Sequence, residues 1–178
     1  MLGKGCRIKS VYASLSTVYH QAITQGEDNA VVVLEYETAN GRTVTCLSET
    51  SWAKPGGMDD RIEVYGTKGV TYADLFQGNA ALTYSREGYD YAMEKAELST
   101  GWTFTIYEEA FNQGYPQELQ HFVDCMLEDR DPVFGIENAR DVMEAVYAVY
   151  ASAQSGSKVT LPFHSDAVLP ISLWKEIH

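Results

Sequence analysis

Positive charge is scarce in this chain of 178 residues: 13 lysines and arginines stand against 25 aspartates and glutamates, a net charge of −12. Binding to a phosphate backbone needs clustered Lys and Arg, so nucleic acid is excluded as a partner. No run of eighteen apolar residues occurs, which excludes a transmembrane helix and leaves no membrane role to expect. The opening segment MLGKGCRIKS has no apolar stretch behind its charges, so no signal peptide is expected. Cysteine is also sparse: Cys6, Cys46 and Cys125 are odd in number, widely spaced and free of any C-x-x-C pair. Reduced thiols in a cytoplasmic protein follow from that pattern, and a structural zinc site does not. His20, His121, His164 and His178 are scattered, with no H-E-x-x-H and no i, i+4 pair, so no metal site is expected. No G-x-S-x-G elbow is present. His164-Ser165-Asp166 reads as a solvated tail, and Glu108-Glu109 and Asp59-Asp60 as solvated charge pairs.

What the chain does have is tyrosine, 12 in all, and a hydrophobic content of 45% that is ordinary for a globular domain. Tyrosine suits strands, interfaces and sugar-binding surfaces alike. Residues 6–19 alternate and are rich in β-branched and aromatic types, the mark of a strand. Residues 30–38 and 42–51 read as two more, joined by Asn40-Gly41, a strong hairpin signal. Residues 54–57 (KPGG) are a loop. Residues 60–65 and 70–75 flank a second turn, residues 80–85 predict another antiparallel neighbour, and residues 103–107 a short strand. Residues 86–101 predict loop with weak strand.

Two helices follow. Pro116 suits a first helical turn, and Leu119, Phe122, Val123, Met126 and Leu127 then make one apolar face. Ala139, Val142, Met143, Val146, Val149, Tyr150 and Ala153 make a second stripe, closed by Gly156 at a left-handed cap position. A short strand is expected around Val159. Strands first and helices last predict an α+β fold: an open, mostly antiparallel β-sheet with helices packed on one face. One face of such a sheet can stay uncovered. The chain reads as a single domain over residues 1–163, with a C-terminal tail at 164–178.

The order of residues through these helices resembles the C-terminal domain of the Gfo/Idh/MocA family of NAD(P)-dependent oxidoreductases. Tyr115, Glu118, Leu119 and Phe122 open the pattern and Pro132 follows. Ala139, Val142, Ala145, Tyr147, Ser152, Ala153, Ser155, Gly156, Val159, Leu161 and Pro162 complete it. Residues 61–69 (RIEVYGTKG) add the strand–glycine–strand hairpin usual in that family. The resemblance runs from about residue 1 to 163 and covers about half of the family's architecture. It implies an NAD or NADP cofactor and a sugar, inositol or related polyol substrate for the complete enzyme. It also implies a homodimer or higher assembly formed through the open sheet face.

The residues that would carry the family's chemistry are missing from this chain. A dinucleotide fingerprint needs three glycines between a strand and a helix. Gly3-Lys4-Gly5 begins such a pattern, but Ile8 stands at the third glycine and a strand follows. The family's E-K-P lysine has no counterpart, because Lys54-Pro55 is preceded by Ala53 and lies in a hairpin loop. Its D-x-x-x-H helix is absent too. No catalytic, cofactor-binding or metal-binding residue is therefore expected here, and no dehydrogenase activity from this chain alone.

A substrate-binding surface remains. Tyr115 and Tyr107 flank the entry to the first long helix, where the family's substrate pocket often draws on aromatic or polar groups. Packing on the sheet edge is the alternative for Tyr115. Trp52 and Lys54 precede the 61–69 hairpin, where the family's sheet meets substrate; core or interface packing is the alternative for Trp52. His121 reads as a surface helical histidine. A second reading of the whole is a free-standing sugar-binding or protein-interaction module derived from such an enzyme.

Overall fold

A computed structural model of the protein describes residues 5–22, 26–54, 59–75, 81–88, 100–105 and 109–174. The chain divides into two compact units, Met1–Pro55 with Val133–His178, and Gly56–Pro132.

The first unit is a four-stranded antiparallel sheet backed by a helix. Strands β1 (Arg7–Ser16), β2 (Asn29–Glu37), β3 (Thr43–Ser51) and the short β8 (Val159–Thr160) lie in the order β3-β2-β1-β8. The β2–β3 turn forms where Asn40-Gly41 predicts it. Gly41 takes φ 77°, which costs a glycine nothing, and its N–H donates to the Thr38 carbonyl at 2.8 Å. Arg7 and Glu37 pair across β1 and β2 at the same end of the sheet as this turn.

Helix α3 (Ile136–Ser155) packs against β1. Its contact face is made of small residues: Ala145, Ala148 and Ser152 are buried, opposite Val11 and Ala13. Of the expected stripe, Val142 and Met143 stay exposed while Ala139, Val146, Val149, Tyr150 and Ala153 are half-buried, and the fully buried positions are the small residues beside them. Small side chains let the helix backbone come close, and Ser152 uses that proximity. Its hydroxyl accepts the Ala13 N–H at 3.0 Å and donates to the Ser157 carbonyl at 2.7 Å. Ala13 lies beyond the two-residue ladder with β8, so Ser152 satisfies a donor that no strand reaches. Asn138 caps the first turn of α3 by accepting the Gly135 N–H. Gly156, at φ 64°, closes the last turn with its N–H on the Ser152 carbonyl.

The other face of this sheet is open. Tyr12, Val33 and Leu47 are register partners across β1, β2 and β3, and Tyr12 and Leu47 are exposed. Residues 170–173 form a 3-10 turn against α3, fixed by the Tyr147 hydroxyl donating to the Val168 carbonyl at 2.9 Å.

The second unit holds two hairpins and two helices: β4 (Arg61–Gly66) with β5 (Gly69–Asp74), β6 (Ala81–Ser85) with β7 (Gly101–Thr105), α1 (Glu109–Asn112) and α2 (Tyr115–Leu127). The sequence predicts these strands as further neighbours in one open sheet. Among the described residues they form two separate two-stranded sheets instead. Turn chemistry specifies which strand pairs with the next one, and it does not specify which sheet the pair joins. The α2 stripe, expected to lie on a sheet, leaves Leu119, Phe122, Val123, Met126 and Leu127 exposed and buries Cys125. Residues 89–99 fall outside the described structure.

Candidate functional site

A cluster of specific interactions lies at the end of the first unit's sheet, where β1 and β3 finish. It is organised by a buried carboxylate. Asp28, just before β2, is 2% exposed and receives the backbone N–H groups of Val18, Tyr19 and His20 at 2.8, 2.7 and 2.9 Å. The Asn29 side-chain amide adds a fourth bond at 2.8 Å. Burial pushes this carboxyl up. The N–H donors of His20, Val18, Tyr19 and Asn29 together outweigh it and hold the group far below the usual carboxylate range. Asp28 also ties in β3: its own carbonyl accepts the Trp52 N–H at 3.1 Å, and its N–H donates to Ser16 at 3.0 Å.

Trp52 is fixed on this frame. Its carbonyl lies 3.3 Å from His20 Nε2, and its indole stacks on the His20 ring at 4.3 Å between centroids, tilted by 34°. Tyr19 meets the other ring edge-on, 4.9 Å from the imidazole centroid at 87°. Trp52 remains 60% exposed and Tyr19 75%. An indole this accessible is outside the core of this unit, and interface packing stays the alternative for Trp52. Lys54 is exposed two residues further on.

The other expected site residues lie in the second unit. Tyr115 opens α2, half in solvent, behind Gly114 in the left-handed conformation. Tyr107 lies outside the described residues. Beside Tyr115, a shallow groove of about 380 Å³ is lined by Phe111, Pro116, Gln117, Gln120, His121 and Asp124. His121 is half-buried, because its Nε2 approaches Cys125 Sγ at 3.5 Å one helical turn away. Arg130 Nη1 donates to the same sulfur at 3.0 Å and Sγ donates to the Asp131 carbonyl at 3.7 Å, closing the turn that ends α2. The structure thus groups Trp52 with residues the sequence did not single out, Tyr19 and His20. In the sequence Tyr19 reads as the end of the strand expected over residues 6–19, and His20 as one of four scattered histidines. A polar break followed by an Asp at a strand start is the signal that could have placed them at a clamped end.

A dinucleotide does not fit the described residues. Every strand pairing among them is antiparallel, so they form no parallel strand–helix–strand unit of the kind that receives a pyrophosphate. Among those residues no group of three or more His, Cys, Asp or Glu could hold a metal ion. No helix among them is long and apolar enough to cross a membrane.

Comparison with known proteins places these elements in context. A family model described as the oxidoreductase family C-terminal alpha/beta domain, of Gfo/Idh/MocA type, matches residues 1–161. The chain belongs to that family. It is 25% identical over 134 residues to the scyllo-inositol 2-dehydrogenase (NAD(+)) of Bacillus subtilis (strain 168), covering 75% of this chain and 35% of that enzyme. Among solved structures, GenD2 from gentamicin A biosynthesis, in complex with NAD, superposes with a TM-score of 0.74 at 32% identity. That match covers 88% of this chain and 42% of GenD2. A myo-inositol dehydrogenase from Corynebacterium glutamicum ATCC 13032 shares the fold, with a TM-score of 0.55 and 23% identity over 89% of this chain and 44% of its own. The chain therefore spans less than half the length of these Gfo/Idh/MocA relatives. The α+β assignment and the antiparallel pairing agree with the family's C-terminal domain.

Proposed function

We propose that residues 1–163 form the substrate-facing and self-associating part of an NAD(P)-dependent oxidoreductase acting on a sugar, inositol or related polyol. The observation that carries this reading is the family match over residues 1–161, joined to relatives whose names record inositol dehydrogenation and NAD binding. The missing glycine fingerprint, the missing lysine of E-K-P and the missing D-x-x-x-H helix assign the cofactor and the proton transfer to residues outside this chain. Here the chain's own residues bind and orient. Trp52, Lys54, Tyr115 and Tyr107 are the substrate-contacting candidates.

The bare row of Tyr12, Val33 and Leu47 supports self-association, because an apolar sheet face gains from being covered by a second copy. The acidic composition and three unpaired cysteines fit a cytoplasmic enzyme. The test is a titration of NADH against this chain. No saturable binding is expected below roughly 100 μM, a common scale for nicotinamide enzymes, and tight specific binding overturns the assignment. Sedimentation of the same sample tests association: a dimer or larger species is expected, and a monomer at high concentration overturns that part.

A further inference from the structure

We propose that Tyr19, His20 and Trp52 form a preset aromatic platform that takes the ring of a polyhydroxylated ligand, a pyranose or a cyclitol. This rests on the reading of the chain as a sugar- or polyol-facing domain, and assigns the contact to particular residues.

The argument begins with what the platform costs. Large aromatic side chains in water gain little by being held in one orientation, yet this group is held at several points. Three consecutive N–H groups, those of Val18, Tyr19 and His20, bind one buried carboxylate. The backbone of Trp52 is tied at both its N–H, on Asp28, and its carbonyl, near His20. The rings then brace each other, Trp52 on His20 and His20 against the edge of Tyr19. The result is an accessible aromatic surface on a backbone held at several points. Rigidity of this kind lowers the entropy lost when a ligand ring docks.

The chemistry of the step fits a polyol ring. A pyranose or cyclitol presents a face of C–H bonds that lies on an indole, and a rim of hydroxyls that needs polar partners. The exposed Tyr19 and the His20 imidazole carry polar groups beside the indole, and Lys54, exposed two residues beyond Trp52 in sequence, is the nearest cation along the chain. A nucleotide offers a flat ring too, but its phosphates would meet a chain of net charge −12 with Glu27 and Asp28 close by in sequence. The imidazole contacts both larger rings, at 4.9 Å from the Tyr19 ring and 4.3 Å from that of Trp52 between centroids.

The test is a two-dimensional NMR titration of this chain with myo-inositol, methyl β-glucoside and adenosine monophosphate, reading the Trp52 indole, the His20 imidazole and the Tyr19 amide. Saturable shifts centred on those three residues are expected with a polyol. Trp52→Ala is expected to weaken the affinity at least about tenfold and Trp52→Phe less. Tyr19→Ala, whose side chain is mostly in solvent, should lose a few-fold and decides the matter if Trp52→Ala does not fold. Saturable polyol shifts centred on Tyr115, with affinity unchanged in the Trp52 and Tyr19 variants, overturn the platform and leave the polyol reading standing. Adenosine monophosphate binding to the three residues more tightly than either polyol overturns the assignment of ligand class. Saturation by neither polyol overturns both readings.

Discussion

Val11, Ala13, Ala145, Ala148 and Ser152 are all buried in the first unit, while among the described residues of the second only Cys125 and Thr103 are. Both units are made from hairpins, tyrosines and an amphipathic helix. The first adds two things. A third and fourth strand make β1 an interior strand over part of its length, and a long-range side-chain bond fastens the helix to it, from Ser152 to Ala13, 139 residues apart. A two-stranded ladder has no such interior and is marginal by itself in water. The lesson is that a helix stripe becomes a core where small residues allow contact, more than where the largest apolar residues recur. Leu119, Met126 and Leu127 carry more apolar surface than Ala145 and Ala148, and they remain exposed.

The strongest way to break this contrast is to place the same charge in both units. Val11→Asp puts a carboxylate against α3 with no partner, and should cost at least about 4 kcal/mol. Ile62→Asp, on the half-exposed β4, should cost within about 1 kcal/mol. Denaturant unfolding followed by circular dichroism reads both, and equal losses would abolish the distinction between the units.

Ser152→Ala sharpens the same point at a smaller scale. It leaves the Ala13 N–H and the Ser157 carbonyl without the hydroxyl that joins them, and should cost roughly 1–3 kcal/mol. Hydrogen exchange at Ala13 should accelerate with it, while exchange in β4 and β5 stays unchanged. A variant as stable as the parent would mean that helix contact needs no such bond.

How much of this could be seen in the sequence follows from the range of each interaction. The β2–β3 hairpin and the Gly156 cap were legible, because Asn40-Gly41 and Gly156 act within a few residues. The division of the strands into separate sheets was not, since no local signal tells β4 and β6 which ladder to join. Trp52 was legible as a candidate, but its companions were hidden. Tyr19 and His20 reach it only because Asp28 folds the chain back after β1, and that return depends on three N–H groups converging on one side chain. Tyr115 was legible as a helix start; its role as a contact is a proposal.

That clamp makes the first unit sensitive to acid. Asp28 has its folded-state pKa lowered from 3.8, so it contributes stability above about pH 4 that is lost as the pH falls further. Wild type should show this loss in acid unfolding, and Asp28→Asn should flatten it while lowering stability at neutral pH. An unchanged acid slope in the variant would show that other carboxylates set it. The effect should be confined to probes in the first unit, such as the amides of Val18 to His20.

The second unit should answer to alkali instead, and more weakly. Tyr65 donates its hydroxyl to Glu63 two residues earlier in β4, at 2.7 Å, and packs edge-on against Tyr72 across the hairpin. The bond to Glu63, followed by one with Tyr72, pushes the phenol up to about 12 from the usual 10.0. A raised phenol favours the folded state while it is protonated, so its contribution is complete below about pH 10 and disappears as the pH rises through 12. The side chain is 68% exposed and solvent screens the pair, so the change in stability should be small. Glu63→Ala removes the acceptor along with the charge, and should bring the Tyr65 titration back toward 10 in a spectrophotometric alkaline titration. A titration that stays near 12 would assign the shift to Tyr72, and would make the β4–β5 pairing more than a bare two-stranded ladder with its side chains in water.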